Sequence, residues 1–457
     1  MESLWVEAFS QGGASPCRLL GRSGSLALEA LRGGSAFGDS LAALRGSSVL
    51  LAASEQLAAG TALLELDGVA RRIVLCTPDL TPELLSWVAT VAECDAVATD
   101  GDVPAPLSGR LAVHRMAPGL QPTSAPPDRH GDRRSEWILL TSGTTGKPKL
   151  VVHSLASLAG VLPRPGAVAG GTVWSTFYDI RRYGGLQIFL RAVIGGAPLV
   201  MSSAGEPAAE FLARAGAAGV THISGTPSHW RKALMSGAAL HLKPAYVRLS
   251  GEVADQPLLD ALRAAFPQAR IAHAFASTEA GVAFDVNDGL AGFPAELIDG
   301  SGGAPGGVEF KIDSGTLHVR SGRNAVRYLG ESPAALAGGD GFVDTGDMVE
   351  KVGDRYHFRG RRGGVINVGG LKVYPEEIES VLNADPRVQM SLVRGRRSPI
   401  TGAIVVADVV LASSEDDSVR TELLNACRRA LPAHKVPAML RFVPSLELTP
   451  AGKLVRP

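Results

Sequence analysis

The chain has 457 residues, 45% of them hydrophobic, and its 45 Lys+Arg balance 45 Asp+Glu. That length accommodates two or three domains of roughly 100–200 residues each. The zero net charge argues against nucleic acid or an acidic membrane surface as the main partner. Cys17, Cys76, Cys94 and Cys427 have neither C-x-x-C nor metal-ligand spacing, so buried thiols in a reduced, cytoplasmic compartment are expected rather than a disulfide scaffold. The first residues lack a basic stretch followed by an apolar run, and no long apolar segment occurs, so neither a signal peptide nor a membrane span is expected.

Along the chain, Arg72–Thr77 reads as a buried strand. Thr81–Cys94 reads as a helix capped by Thr81 with Pro82 in its first turn, and Ala96–Thr99 as the next strand. Strand, helix, strand implies a βαβ unit in a parallel sheet. Gln121–Arg134 is a polar, proline-bearing loop. The alternation continues with a helix at Pro207–Ala218, a strand at Val220–Ser224, a helix at Pro257–Ala265 and a strand at Arg270–Ala274. Residues 307–358 change character. Short strands at Val308–Ile312, Thr316–Val319, Val349–Val352 and Tyr356–Arg359, joined by Gly and Asp turns, predict an antiparallel β region. Residues 364–457 mix short strands and helices, as in a compact α+β domain, and the glycine-rich Gly360–Gly370 stretch reads as a hinge.

The strongest chemical signal is Leu139-Leu140-Thr141-Ser142-Gly143-Thr144-Thr145-Gly146-Lys147-Pro148-Lys149. An apolar strand end runs into hydroxyls and glycines closed by lysines, which suits a polyphosphate: glycine lets backbone N–H groups approach the anion, and the side chains add donors and charge. It is not a Walker A loop, because only Thr144 and Thr145 separate the glycines and Pro148 follows Lys147. On these residues the chain resembles the acyl-adenylate-forming superfamily, which includes acyl- and aryl-CoA ligases, peptide-synthetase adenylation domains and luciferases. The resemblance runs from about residue 135 to the end, and the earlier residues share only its general character.

Further motifs follow in the family's order. Ala276-Ser277-Thr278-Glu279 resembles its Tyr-Gly-x-Thr-Glu motif, with Phe275 in place of tyrosine and Ala276 in place of glycine. The resemblance implies that Thr278 meets the α-phosphate, that Glu279 holds Mg²⁺, and that the Phe275 ring can stack on adenine. Asp344-Thr345-Gly346-Asp347 resembles Thr-Gly-Asp, which assigns the ribose hydroxyls to Asp347, with Asp344 in an Asx turn, and Arg361 matches an arginine that reaches ribose and phosphate. Two positions beyond Arg361, where the family carries an Asp or Lys hinge residue and then an acid, stand Gly363 and Gly364. Gly369-Gly370 resembles the loop that lines the pantetheine tunnel. The terminal Thr449-Pro450-Ala451-Gly452-Lys453 resembles the segment whose lysine bridges acid and α-phosphate.

The resemblance thus implies an α/β protein with a large N-terminal domain of stacked α/β sheets plus a β-barrel-like region (1–360), and a small mobile α+β C-terminal domain (361–457). Lys453, Thr144 and Glu279 are the expected catalytic residues. Thr141, Ser142, Gly143, Thr145, Gly146, Lys147, Phe275, Ala276, Thr278, Asp347, Arg361, Gly369 and Gly370 are the expected binding residues. The expected cofactors are ATP, Mg²⁺ and CoA, and the expected activity is acid adenylation followed by thioester formation. Two alternatives stay open: loading of a carrier protein's phosphopantetheine in trans, and a catalytically silent nucleotide-binding protein. The acid pocket is expected around Trp174–Gln187, Ser224–Trp230, Ser250–Glu252 and Ala274–Ser277. Within it, Arg181 and Arg182 either recognise a second carboxylate or form a solvated turn, and Arg182 or Tyr183 takes the place of the family's gating residue. Asp179 is a weak candidate partner for an α-amino group. His229 and Trp230 are read as wall residues. Arg394, Arg396 and Arg397 are read as a loop cluster, either solvated or meeting the CoA 3′-phosphate.

Overall fold

The computed structural model describes residues 2–9, 17–124, 129, 133–141, 147–160, 162, 170–300, 306–330, 335–399, 401–412 and 417–456. Two sheets carry the N-terminal part. The first has seven strands in the order Arg327–Leu329, Lys149–His153, Glu136–Thr141, Arg72–Leu75, Ser48–Leu51, Ala96–Thr99 and Ala112–Arg115. Its five last-named neighbours run parallel, and their four-residue inner strands are buried on both faces, as the apolar runs at Arg72–Leu75 and Ala96–Thr99 require. The second has eight strands, centred on the parallel set Trp174–Thr176, His222–Gly225, Tyr246–Ser250 and Arg270–Ser277. The helices Gln56–Leu66 and Tyr183–Gly195 lie in one apolar core that draws on both sheets, with Leu51, Trp137, Phe189 and Leu199 fully or almost fully buried. A helix buried on nearly all sides must satisfy its polar groups internally. Gln56 does so through Ser202 and Ile180, and Glu65 through Arg129 at 2.5 Å.

The predicted antiparallel region is a third sheet, ordered Phe293–Pro294, Arg355–Arg361, Val343–Val352, Thr316–Arg320 and Glu309–Asp313, over its own core of Phe284, Phe293, Leu317 and Val319. Beyond Arg361, a 3₁₀ turn at Arg362–Gly364 leads to a smaller C-terminal part. This pairs Ile366–Val368 with Leu371–Val373, and Val388–Ser398 with Gly402–Leu411 and Met439–Phe442, under the helices Pro375–Asn383 and Asp417–Ala430.

Local differences from the sequence reading have identifiable causes. Arg394, Arg396 and Arg397 lie not on a loop but on the long Val388–Ser398 strand, whose polar end pairs with Gly402–Val406. Arg394 is tied to Asp408 at 3.1 Å and Arg396 lies near the Met439 sulfur. Gly363 and Gly364 do not use the positive φ that glycine permits. Among the described residues, no helix is long and apolar enough to cross a membrane.

Candidate active site

In open α/β sheets ligands gather at the carboxyl ends of parallel strands, and Thr141, Thr278 and Glu279 among the expected site residues lie there. The strand Glu136–Thr141 delivers Thr141, Tyr246–Ser250 delivers Gly251 and Glu252, and His222–Gly225 delivers Thr226. Arg270–Ser277 delivers the tight turn of Thr278 and Glu279. The phosphate loop connects two antiparallel strands paired Thr141↔Lys149. Ser142, Gly143, Thr144, Thr145 and Gly146 lie outside the described residues. Lys147 rests over the Trp87 ring at 5.3 Å, and Lys149 over Tyr328 at 5.0 Å.

The Tyr328 hydroxyl in turn donates to Glu279 Oε1 at 3.4 Å, so Lys149, Tyr328 and Glu279 form a chain leading away from the phosphate loop. Glu279 stands in a β-turn, not at a helix start. Its turn is held by Ala280 N donating to Ser277 Oγ at 2.9 Å and by His153 Nε2 at 2.7 Å from the Thr278 carbonyl. Phe275 is stacked on Phe358 at 4.8 Å and on Phe284 at 5.8 Å, and a bulge separates it from Ala276. Among the described residues, no group of three or more His, Cys, Asp or Glu could hold a metal by itself. Mg²⁺ shared with a triphosphate needs only one or two carboxylates, and Glu279 fits that requirement.

Asp347 and Arg361 face each other across neighbouring strands, with Arg361 Nε donating to Asp347 Oδ1 at 3.2 Å. Gly346, at φ +69°, lets the chain turn there, and Asp344 accepts from its N–H at 2.8 Å in an Asx turn. Burial raises the Asp347 carboxyl above its ordinary value, against the pull of Arg361 and Lys453.

The last segment closes the site. Leu448 bridges Leu454 and Thr449 N donates to the Lys453 carbonyl at 2.7 Å, making a tight hairpin that carries Lys453 inward. Lys453 lies against Gly251, where an added Cβ would come 3.2 Å from its Cε. Burial, and then the Arg361 guanidinium, push the ammonium below the ordinary lysine value, while Glu252, Asp347 and Glu279 pull it up. One cation is therefore acted on by carboxylates from three separate segments: Glu252 and Glu279 just past strand ends, and Asp347 within the strand Val343–Val352.

Three residues hold this hairpin: Glu252 and Thr226, from segments expected to line the acid pocket, and Arg456, which the sequence did not mark. Glu252 accepts from Leu454 N at 2.9 Å with one oxygen, and from Ser228 N, in the first turn of the helix Pro227–Met235, with the other. Thr226 Oγ donates to the Gly452 carbonyl at 2.5 Å. Arg456 grips Glu379 with two bonds of 2.9 and 2.8 Å, tying the tail to the Pro375–Asn383 helix. His229, read as a wall residue, proves to be a contact: its ring stacks on Phe177 at 4.9 Å, and a Cβ on Gly452 (φ +72°) would fall 1.7 Å from it. The sequence placed Thr226 and Glu252 near the acid, but gave no sign that they hold the terminal hairpin. Trp230 is core.

Other expected residues do not join them. Gly369 and Gly370 form the exposed tip of a hairpin, with φ of +58° and +85° and no atom within 4 Å of an added Cβ. Arg181 is fully buried and bound to Asp179 at 2.6 Å and to the Ala53 carbonyl, so Asp179 is equally occupied. Arg182 is paired with Asp79 at 2.9 Å. Tyr183 is buried with its hydroxyl accepting from Val282 N at 3.1 Å. Arg181 is therefore spent inside the fold, while the charge of Arg182 is paired with Asp79 at the surface.

The family described as AMP-binding enzyme matches residues 43–322, and the AMP-binding enzyme C-terminal domain matches residues 377–453. A 2-succinylbenzoate–CoA ligase of Listeria innocua is 28% identical over 337 residues, covering 71% of this chain and 69% of its own. Among solved structures, the anthranilate CoA ligase AuaEII with anthranoyl-AMP overlaps 99% of this chain and 95% of its own, at TM-score 0.81 and 18% identity. The o-succinylbenzoate CoA synthetase of Bacillus subtilis with its acyl-adenylate overlaps 99% and 97%, at TM-score 0.77 and 19% identity. Overlap at such identity speaks for the fold. The match across residues 43–322, more than half of the chain, places this protein in the AMP-binding enzyme family.

Proposed function

We propose that this protein is an acid–thiol ligase that activates a carboxylic acid with ATP and transfers the acyl group to CoA. The observation that carries this reading is the Lys453 ammonium, set against Gly251 and acted on by Arg361, Glu252, Asp347 and Glu279. In the first step a carboxylate oxygen attacks the α-phosphorus, forming the acyl–phosphate bond and releasing pyrophosphate. Two anions converge there, and a preplaced cation stabilises the charge that develops between them. Lys453 supplies that cation at the junction of acid and nucleotide. Asp347 has two acceptor oxygens for a ribose diol, and Arg361 steadies it. The segment Thr141–Lys149 receives the phosphates, with Thr144 and Lys147 as donors. Mg²⁺, when bound beside Glu279, neutralises phosphate charge.

In the second step the CoA thiol attacks the acyl carbonyl, the acyl–phosphate bond breaks, and AMP and a proton leave. The Lys453 hairpin occupies its place in the first step. For the second we place a rotation at Arg362–Gly364 that withdraws Lys453 and brings the Gly369–Gly370 tip toward the site. The division of the chain at residues 360 and 361 belongs to this same reading.

Pyrophosphate release measured with Mg·ATP over aliphatic, aromatic and dicarboxylic acids, with and without CoA, tests it. The expected result is acid-dependent release accelerated by CoA, with the matching thioester seen by mass. Release indifferent to CoA would assign the acyl group to a carrier protein instead, and absence of release with every acid would overturn the ligase reading.

A further inference from the structure

With Arg181 buried on Asp179 and Arg182 paired with Asp79, another group of guanidinium side chains lies at the strand Tyr246–Ser250. The strand alternates. Val247 and Leu249 enter the core with Trp230 and Leu258, which leaves Arg248 and Ser250 on the opposite face, toward the Tyr178–Gly195 segment. Tyr246, on that same face, belongs to the core containing Tyr183 and Val282. Arg248 is 5% exposed, and its Nε donates to Asp285 Oδ1 at 2.9 Å. Its Nη2 is ion-paired to the same oxygen at 2.7 Å without the alignment of a hydrogen bond, so its N–H groups are not fully used.

Two more guanidinium groups stand nearby. Arg323 donates through Nη1 to the Val282 carbonyl at 2.7 Å, while its buried Nε has no partner. Arg191 projects from the Tyr183–Gly195 helix into the same field. Burial, and then Arg248, hold it below its ordinary value. All three act on one carboxylate, Asp285, which they keep ionised against the cost of burial. The cluster therefore carries more positive than negative charge and has spare donors. Arg248 is buried while Asp285 is exposed, so an incoming anion can reach the cluster and complete its donors.

Its position along the strand gives that anion a role. Gly251, three residues beyond Arg248, packs against Lys453. At about 3.3 Å per residue, the cluster lies on the order of 10 Å down the strand from the reacting end. We propose that Arg248, Arg191 and Arg323 form the floor of the acid pocket and select an acid whose far end carries a second carboxylate. This rests on the ligase reading above.

The test uses matched pairs that differ only at the far end: octanoate against octanedioate, and phenylpropanoate against its para-carboxylated counterpart. Acid-dependent pyrophosphate release is followed in the wild-type protein. The diacid of at least one pair is expected to lead by tenfold or more in kcat/KM, because a site built around charged donors rejects the analogue that leaves them unpaired. Arg248→Met is expected to lower the diacid's kcat/KM by about 100-fold and to bring the ratio within that pair close to one. Since Arg248 is buried, Arg248→Lys and Arg191→Met are measured beside it, with circular dichroism to confirm folding. Preference for the monoacid, or no preference, in both wild-type pairs overturns the proposal while the ligase reading stands. The proposal is also overturned by a diacid preference that survives in folded Arg248 and Arg191 variants. No turnover with any of the four acids overturns both.

Discussion

Two hairpins of the same small C-terminal part present opposite faces of one design. The hairpin carrying Lys453 is inserted among the strand ends and held by Glu252, Thr226 and the flat contact of Gly452 on His229. The hairpin tipped by Gly369 and Gly370 stands in open space, with one backbone bond from Gly369 N to the Thr401 carbonyl at 2.9 Å. The first is immobilised by contacts with the large N-terminal part, and the second is shaped by its own dihedrals. A domain that must offer each hairpin in turn to one site needs releasable contacts at the first and a self-sufficient turn at the second. The hydrogen bonds around Lys453 meet that need, since each contributes only about 1–3 kcal/mol.

The largest effect that would break this comparison is Lys453→Ala. It should slow adenylation by two to three orders of magnitude, about 2.7–4 kcal/mol in the barrier. Thioester formation from supplied acyl-adenylate should be largely spared. Stopped-flow measurement of the two half-reactions separates them, and equal losses would contradict the division of labour.

Acid should loosen the Lys453 side next. His153 and His229 are buried and neutral, each pushed down from 6.5 to about 4, mainly by desolvation. The unfolded chain takes up their protons first, so their contribution is intact above pH 6.5 and drains away as pH falls toward 4. The loss amounts to roughly 3 kcal/mol each at most. Denaturant titrations across that window should record it, and His229→Phe should flatten its share.

Glu252→Ala removes both the anchor of Leu454 and the cap on Ser228. We expect adenylation to fall ten- to a hundredfold, as for a charge-assisted bond of about 1.5–3 kcal/mol, with less effect on the second half-reaction. A matching loss in both would make Glu252 a purely structural cap. Gly370→Ala strains a φ of +85° in open space, which should cost about 1–2 kcal/mol of stability and touch thioester formation more than adenylation. The smallest effect belongs to Gly363→Ala and Gly364→Ala. Both lack positive φ and have room for a Cβ, so stability should move by less than about 0.5 kcal/mol.

Much of this was legible in the chain, for a physical reason. The phosphate, metal and ribose roles proposed for Thr141–Lys149, Thr278-Glu279 and Thr345–Asp347 each call for a few residue types at fixed short spacing, so the proposal could be drawn from local order. The strand at Ala96–Thr99 and the helix inside Thr81–Cys94 were equally readable, because Thr81 caps the helix and apolar runs mark the strand. Arg181 and Arg182 were misread because nothing local reveals that their partners include Ala53 and Asp79, more than a hundred residues earlier.

The sequence by itself determined which groups are available: the donors of the phosphate loop, Glu279, Asp347, Arg361, Lys453 and the paired glycines. Only the tertiary structure decided which of them meet. It seated Lys453 against Gly251 and exposed Gly369-Gly370. It brought Leu454 to Glu252 across 202 residues, and gathered Arg248, Arg191 and Arg323 around Asp285. Charge pairing and burial act through space, and a side chain's role is settled by the neighbours that folding supplies.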